Sequence, residues 1–399
     1  MQQQVRERFE EATFRANSVY ELVLFDRLPH EQQQLLSDLR KDADFYGILR
    51  PRQHSALSIK SVDRDAASLF LTLQAPGHIP AYVKSQLGEQ YHKTILALVL
   101  DKVLEIEWNG VFLSGLEAYM QLYARQPLST IQGTIARLSL EAVKYAQELE
   151  LHDSTKLSAR LYCYNRIPLS PYWQRKFPTT DAIAEYLGLL AHSSNTLLLK
   201  RHWTKLAPVS SFDGWFRWTA RHVQPAPRTS PFVYKLYVSP ACEFIRDVFQ
   251  TTIEVLVDGQ ATDFKIGKDI SGLLRPDKLV VYFPSMEACR NAANSLKQKL
   301  AGLPGHGVPF TAEIAGNGLL SWGIDPPIKE QVFTDQESES WRLWVTNRLA
   351  TALLTAKVAL CDKVEPWQFA LERLRLDGVD TDSWAPPQLF WQMNLIVEE

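Results

Sequence analysis

The stretch from Phe232 to Ser239 carries polar side chains that could act together in chemistry. Read as a β-strand, in which side chains alternate between two faces, it places an apolar residue at every second position from Phe232. Lys235, Tyr237 and Ser239 then share the opposite face. A cation there can stabilise negative charge, and the neighbouring phenol can donate a proton.

Two more lysines follow in short apolar runs. Lys265 lies between two apolar neighbours in residues 263–266, so those neighbours can face a core while Lys265 faces the other way. Lys278 opens the apolar run 279–283. Taken singly, a lysine or a tyrosine on the solvent face of a half-buried strand is ordinary. The order and spacing of these residues are more informative than their types.

This pattern resembles the core of the phosphothreonine lyase fold, found in bacterial type III effectors and in the lyase domains of class III and IV lanthipeptide synthetases. In those relatives the first strand reads Lys-x-His-[Ile/Val]-Ser and the second Phe-Lys or Trp-Lys. Here the first strand reads Lys235-Leu-Tyr-Val-Ser239 and the second Phe264-Lys265. The chain resembles the HopA-type effector-like family more closely, because that family's first strand ends in Tyr-[Arg/Lys]-x-Tyr, as in Tyr234–Tyr237.

The resemblance covers about residues 206 to 330. It implies an α+β fold, with a phosphothreonine-lyase-like small sheet and packed helices, preceded and followed by helical regions. It also implies a reaction, the β-elimination of phosphate from phosphoserine or phosphothreonine to leave dehydroalanine or dehydrobutyrine. Members of the HopA-type group occur beside separate kinases in pathways that dehydrate ribosomally made peptides.

β-Elimination needs a base for the α-proton, charge stabilisation at the adjacent carbonyl and an acid for the departing phosphate. By resemblance, Lys265 takes the position of the base and Lys235 supports the developing enolate. Tyr237 stands where the relatives carry an acidic histidine. A lysine is a base near neutral pH only if burial or neighbouring cations lower its pKa. Tyr237 is an effective acid only if nearby lysines lower its pKa as well.

The phosphate needs cationic ligands, and the planar guanidinium of arginine suits it because it donates two parallel hydrogen bonds. Arg217 and Arg221 share a strand face by their spacing and are the first candidates, although a solvated face explains them equally well. Lys278 matches a lysine of the synthetase lyase domains. Lys268 and Arg275, in the loop before Lys278, complete the candidate set.

Composition narrows the function classes. The chain has 399 residues, 46% of them hydrophobic, and a net charge of -2, as expected of a globular protein of two or three domains. The chain has no dense block of Lys and Arg, so we expect no nucleic-acid binding. The sequence lacks the apolar run that a signal peptide or a membrane span requires. We therefore expect a cytoplasmic protein with no membrane partner. The cysteines are scattered and show no metal-ligand spacing: Cys163, Cys242, Cys289 and Cys361. We therefore expect them to be reduced packing residues, and we expect no metal and no cofactor.

Residues 1–205 are predicted to form a mainly helical region, beginning with helices over 2–26 and 31–41. A β-hairpin near 102–113 interrupts it, because Asn109-Gly110 is a strong hairpin-turn signal. An exposed hairpin edge can bind an extended peptide by strand addition, so this region is a candidate for peptide or partner recognition. In the alternative interpretation its helices only cover the back of the sheet.

Residues 206–330 are predicted to form the lyase-like α+β domain, and residues 331–399 a C-terminal helical region. The predicted strands are 215–221, 232–239, 262–266 and 278–283. The predicted helices are 240–257, 285–301, 338–364 and 366–376, and the Gly-rich stretch 302–323 is predicted to be irregular.

The sequence lacks a phosphate loop, a dinucleotide fingerprint, a nucleophile elbow and kinase signatures. A separate Ser/Thr kinase must therefore supply the phosphorylated precursor peptide on which a lyase in peptide natural-product biosynthesis would act. The alternative is a non-catalytic, effector-like protein that uses the same fold to bind a peptide or partner. In that case Tyr237 in place of histidine marks lost activity.

Overall fold

The structure of the protein is a computed structural model. It describes residues 9–41, 44–52, 59–88, 91–123, 133–208, 214–221, 232–314, 316–326, 339–357 and 364–386. The strands in these ranges are β1 Phe14–Ala16, β2 Tyr20–Leu24, β3 Phe45–Pro51, β4 Lys60–Asp63, β5 Leu104–Trp108, β6 Val111–Leu113, β7 Trp203–Lys205, β8 Trp215–Ala220, β9 Tyr234–Val238, β10 Asp263–Gly267, β11 Leu279–Phe283, β12 Ala312–Glu313 and β13 Leu320–Ile324.

The α-helices in the same ranges are α1 His30–Leu35, α2 Arg64–Thr72, α3 Ala81–Leu87, α4 Tyr91–Leu100, α5 Gly115–Tyr123, α6 Thr134–Glu148, α7 Ser154–Tyr162, α8 Pro171–Lys176, α9 Thr180–Tyr186, α10 Ser194–His202, α11 Ile245–Val257, α12 Ile270–Leu273, α13 Met286–Lys299, α14 Trp341–Lys357 and α15 Pro366–Leu376. None of the helices in the described residues is both long enough and apolar enough to cross a bilayer.

The strands form three antiparallel sheets. Two small sheets have the orders β1-β5-β6 and β2-β3-β4, and a seven-stranded sheet has the order β12-β13-β9-β11-β10-β8-β7. All neighbouring strands of the large sheet run antiparallel. Together with the surrounding helices this is an α+β fold, as predicted.

The large sheet buries one apolar face. Helix α13 packs against β9 and β11, and Phe249 of α11 contacts Phe264 of β10 at a ring distance of 6.4 Å. The main core is one cluster of buried side chains that extends from Phe9 to Trp384. The helices before and after the sheet therefore share their core with it, although the predicted domain boundaries divide the chain at residues 205 and 330.

Helix α14 lies over the opposite face of the sheet at β13. A Cβ atom built on Gly323 would lie 2.6 Å from the Trp341 ring, so a glycine is needed for this close approach. The Trp341 indole also donates a hydrogen bond to the Phe310 carbonyl at 2.8 Å. The C-terminal helical region is thus anchored on the face that carries Lys235.

The prediction of a helix over 2–26 is wrong in its described part, which contains β1 and β2. Phe14, Ala16 and Tyr20 are buried, a spacing that fits a strand pair. Between them the side chain of Asn17 accepts a hydrogen bond from the Val19 N–H and donates one to the Lys102 carbonyl. This local turn breaks the helical pattern because asparagine competes for main-chain groups. Residues 1–8 lie outside the described residues.

The predicted hairpin is confirmed as β5 and β6. Asn109 and Gly110 have φ angles of 51° and 79°, the left-handed conformation that a two-residue hairpin turn requires. Strand β6 is the outer strand of its sheet. The strands and helices predicted between 215 and 301 are confirmed to within a few residues, except that the helix after Ser239 begins later, at Ile245. The stretch 302–323, predicted to be irregular, contributes β12 and most of β13.

The described cysteines are all free thiols. Cys242 and Cys289 are buried, as expected of packing residues, whereas Cys163 is exposed and packs no core. Cys361 lies outside the described residues. Within the part of the chain that the structure describes, no group of three or more His, Cys, Asp or Glu side chains could hold a metal ion.

Candidate active site

The polar face of the large sheet gathers the predicted catalytic residues. Lys265 on β10 lies opposite Val280 on β11, and Val280 lies opposite Tyr237 on β9. On the other side Lys265 lies opposite Arg217 on β8. Residues that face each other across strands share one face of the sheet and lie about 5 Å apart. The register therefore brings Tyr237, Lys265 and Arg217 into one row.

Lys235 lies in the neighbouring row and is fixed by an ion pair. Its Nζ is 2.6 Å from Oδ2 of Asp325, which follows β13. The same ammonium lies 5.2 Å from the ring centroid of Tyr282, the residue opposite Lys235 on β11. Lys235 is buried, so its position is well defined and its charge is balanced.

Lys265 differs from Lys235 in its partners. Within the described residues its ammonium forms no ion pair and donates no hydrogen bond, and it lies 4.5 Å from the ring centroid of Trp215 and 5.8 Å from that of Tyr282. Burial lowers the pKa of Lys265 to about 8, helped by the positive charges of Lys235 and Arg217. A substantial fraction of Lys265 is therefore neutral near pH 7 to 8 and can accept a proton.

Tyr237 is buried against Val280 and Val308. Burial raises the pKa of its phenol well above the ordinary value, and the Asp325 carboxylate raises it further. The condition for an effective acid at Tyr237, a pKa lowered by nearby lysines, is therefore not met. The phenol stays protonated at all physiological pH values, so it can donate a hydrogen bond but is a weak proton donor.

A buried ionic network borders the site. The carboxylate of Asp277, just before β11, accepts hydrogen bonds from Nε and Nη2 of Arg275, both at 2.8 Å. It also lies 2.9 Å from Nη1 of Arg342 in α14. The Tyr162 hydroxyl at the end of α7 lies 3.3 Å from Asp277. Burial alone would raise the pKa of Asp277, but Arg342 and Arg275 outweigh it and hold that pKa far below its usual range.

The network also fixes Arg275 beside Lys265. The Arg275 guanidinium lies 4.9 Å from the ring centroid of Trp215, the indole that Lys265 contacts. Arg275 binds Asp277 through one edge only, which leaves Nη1 directed elsewhere. Arg217 and Arg275 are therefore the two predicted phosphate ligands that the fold brings to Lys265.

The other three predicted phosphate ligands are placed differently. Arg221 follows the end of β8 and its Nε donates to the Trp203 carbonyl at 3.0 Å, at the outer strand of the sheet. Lys268 lies in the loop after β10, and its main-chain N–H donates to the Gly214 carbonyl. Lys278 is fully buried, and its ammonium binds protein groups and not the open face of the sheet.

Burial of Lys278 is supported by two hydrogen bonds. Its Nζ donates to the Pro240 carbonyl at 3.0 Å and forms a hydrogen bond with Nδ1 of His306 at 2.7 Å. Burial lowers the pKa of Lys278 to about 8. Burial and the neighbouring Lys278 lower the pKa of His306 to about 3, so His306 is neutral and accepts this bond. The pair belongs to the packing of the sheet end.

Several residues of this site escaped the sequence-based reasoning. Tyr282 lies within a predicted strand, and its alternation with Val280 could have placed it on the polar face. The spacing of Arg275 and Asp277 could have indicated a local ion pair. The remaining members come from distant parts of the chain, and no sequence signal links them to the sheet: Tyr162, Asp325 and Arg342.

No known protein family and no curated protein matches this chain. Similar solved structures include an effector protein from Pseudomonas syringae pv. tomato strain DC3000, with 14% identity, a TM-score of 0.37 and coverage of 63% of this chain and 96% of that one. An effector protein from Pseudomonas syringae pv. syringae strain 61 shows 14% identity, a TM-score of 0.40 and coverage of 64% and 98%. A phosphothreonine lyase shows 11% identity, a TM-score of 0.27 and coverage of 52% and 98%.

Effectors and phosphothreonine lyases are both kinds of protein that the sequence pattern resembles. None of the three matches bears on lanthipeptide synthetases.

Proposed function

We propose that this chain is a phosphoserine or phosphothreonine lyase that acts on a phosphorylated peptide. The observation that carries the proposal is the state of Lys265, a half-buried lysine with a pKa lowered to about 8 and no ion pair among the described residues. Two arginines beside it, Arg217 and Arg275, would bind the phosphate. A base next to an anion site is what β-elimination requires.

The proposed reaction needs no cofactor, because the substrate and the side chains account for every proton and electron pair. Lys265 takes the α-proton, the electron pair of that C–H bond forms the Cα–Cβ double bond, and the Cβ–O bond breaks. Lys235 stabilises the negative charge that develops on the carbonyl oxygen. A phosphate ester with one remaining proton has a pKa near about 6. If the ester binds in that form, hydrogen phosphate leaves and the protein need not supply a proton.

The decisive experiment is mass spectrometry of a phosphopeptide incubated with the purified protein. Loss of phosphoric acid identifies the lyase, whereas release of phosphate with uptake of water would identify a hydrolase instead. Lys265→Ala should abolish the loss of phosphoric acid. The control is Lys297→Ala, which removes an exposed lysine on α13 at the other side of the sheet and should leave that loss unchanged. Turnover by the Lys265 variant would overturn the assignment of the base.

A second function is favoured by Tyr237, because its raised pKa makes it a poor acid where the relatives in the sequence resemblance carry histidine. In that case the cationic face binds a phosphopeptide or a partner without converting it. The same incubation distinguishes the two functions. Tight binding of the phosphopeptide without loss of phosphoric acid identifies the binding protein.

The wider setting follows from the lyase proposal. A separate Ser/Thr kinase would phosphorylate a precursor peptide in the cytoplasm, and this chain would convert it during peptide natural-product biosynthesis, as in lanthipeptide pathways. An unmodified part of the precursor would bind the outer strand β6, next to a pocket whose lining includes Phe9, Ile106, Trp108 and Leu122. Val111→Asp on β6 should weaken binding of the full precursor, whereas Val19→Asp at another exposed position should not. If the two variants bind the full precursor equally well, β6 has no role in recognising it.

A further inference from the structure

Trp215 lies between the proposed base and a proposed phosphate ligand. As the first residue of β8 it pairs with Gly267 of β10, and it shares the polar face with Lys265 because residues two apart on a strand face the same way. The carbonyl of Gly214 accepts the N–H of Lys268 at 3.0 Å, which fixes the main chain next to the indole.

The indole contacts two cations. Its ring centroid lies 4.5 Å from Nζ of Lys265 and 4.9 Å from Cζ of Arg275. Arg275 is held from its other side by Asp277. An aromatic face attracts a cation and excludes water from it. One indole therefore lies against both cations and covers part of the Lys265 ammonium.

The charged surroundings of Lys265 show why this cover matters. The groups that face it are the cations Lys235, Arg217 and Arg275 and the carboxylate of Asp277, together with the ring of Tyr282. Water around the ammonium would screen the three cations and restore the ordinary stability of the charged form. An apolar cover keeps their repulsion effective and keeps the amine available as a base.

We propose that Trp215 is a positioning residue that shields Lys265 from water and aligns it with Arg275. The inference rests on the proposed role of Lys265 as the base. The cation–π contact by itself favours the charged lysine, whereas exclusion of water favours the neutral one. The two effects can be separated, because Trp215→Ala removes both of them and Trp215→Leu removes only the cation–π contact.

The test measures the pH dependence of lysine acetylation by acetic anhydride, followed residue by residue with mass spectrometry. Trp215→Ala admits water and should move the midpoint for Lys265 to higher pH by at least one unit, which lowers the neutral fraction at pH 7 about tenfold. Trp215→Leu keeps an apolar cover without an aromatic face and should leave the midpoint unchanged or lower. Lys297 on α13 is the internal reference.

An unchanged midpoint in Trp215→Ala, or the same upward shift in both variants, overturns the proposal. Because acetylation needs no turnover, the result is independent of lyase activity. If the midpoint shifts as expected but Lys265→Ala still eliminates phosphate, the base assignment fails while the control of Lys265 by Trp215 stands. In an active lyase, Trp215→Ala should also lower kcat at pH 7 and move the upper limit of the pH profile to higher pH.

Discussion

The carboxylate of Asp325 lies 2.6 Å from the ammonium of Lys235, and both side chains are largely shielded from solvent, with exposed fractions of 19% and 8%. The other carboxylate oxygen accepts the main-chain N–H of Trp341 at 3.0 Å. One residue thus neutralises a lysine of the proposed site and anchors the start of α14.

Removing one partner of this pair should be costly. Asp325→Asn leaves Lys235 charged and buried without its counterion, which should cost about 3 kcal/mol of unfolding free energy. Lys235→Met should destabilise the chain as well. The double variant should lose less than the sum of the two single losses, because neither charge is then left alone. Urea unfolding measures all three, and additive losses would show that the pair contributes no coupling.

The rate of elimination should depend on pH with a broad maximum. Lys265 must be neutral, and its pKa is about 8. If the phosphate ester keeps one proton, its pKa near about 6 sets the second limit. The rate should rise up to about pH 6, stay level to about pH 8 and fall above it. A rate that keeps rising to pH 8 and then stays level would mean that the protein supplies the proton for the leaving phosphate.

The charge of Arg217 should tune this profile. Arg217→Gln removes a cation that lowers the pKa of Lys265, so the upper limit of the profile should move to higher pH and the level part should decrease. Arg221→Gln is the matched control, because its guanidinium binds the main chain of β7. Identical profiles for the wild-type chain and Arg217→Gln would exclude an electrostatic role for Arg217.

Tyr237→Phe should be a mild substitution in kinetic terms. It removes a hydroxyl whose pKa is too high for efficient proton transfer but keeps the ring against Val280 and Val308. The loss in kcat should stay below about tenfold, less than the roughly 10²- to 10⁴-fold typical of a general acid. A larger loss, with stability unchanged, would restore Tyr237 as the acid.

His306 should make the fold sensitive to acid. Its pKa is about 3 in the folded chain and about 6.5 when unfolded. Between these values the unfolded chain binds a proton that the folded chain does not, so stability is lost as the pH falls from about 6.5 to about 3. His306→Asn keeps an acceptor for Lys278 but cannot titrate, so it should flatten this decline in urea unfolding. His152→Asn, at an exposed position, should leave the decline as it is.

Local patterns predicted the strands of the proposed site well. Alternation around Lys235 and Lys265 gave the correct polar face, because a half-buried strand has a period of two that tertiary contacts rarely override. Burial could not be predicted in the same way. Lys278 continues the same pattern, yet His306 and the Pro240 carbonyl accept its hydrogen bonds from loops that only the complete fold brings together.

The sign of the pKa change at Tyr237 was also beyond the sequence. It depends on Val308, which covers the phenol, and on Asp325, whose position requires β13 to pair with β9. That strand lies largely in a Gly-rich stretch whose composition indicates loops. Here the pairing partner, and not the local sequence, decides the conformation.

The network of Asp277 with Tyr162, Arg275 and Arg342 has a consequence for how the protein is made. On the ribosome, Tyr162 and Asp277 emerge well before Arg342. Until α14 has left the exit tunnel, Asp277 lacks the buried guanidinium that outweighs its cost of burial. The nascent chain therefore completes the charged side of the proposed site only after α14 has emerged, and any lyase activity would be withheld until then.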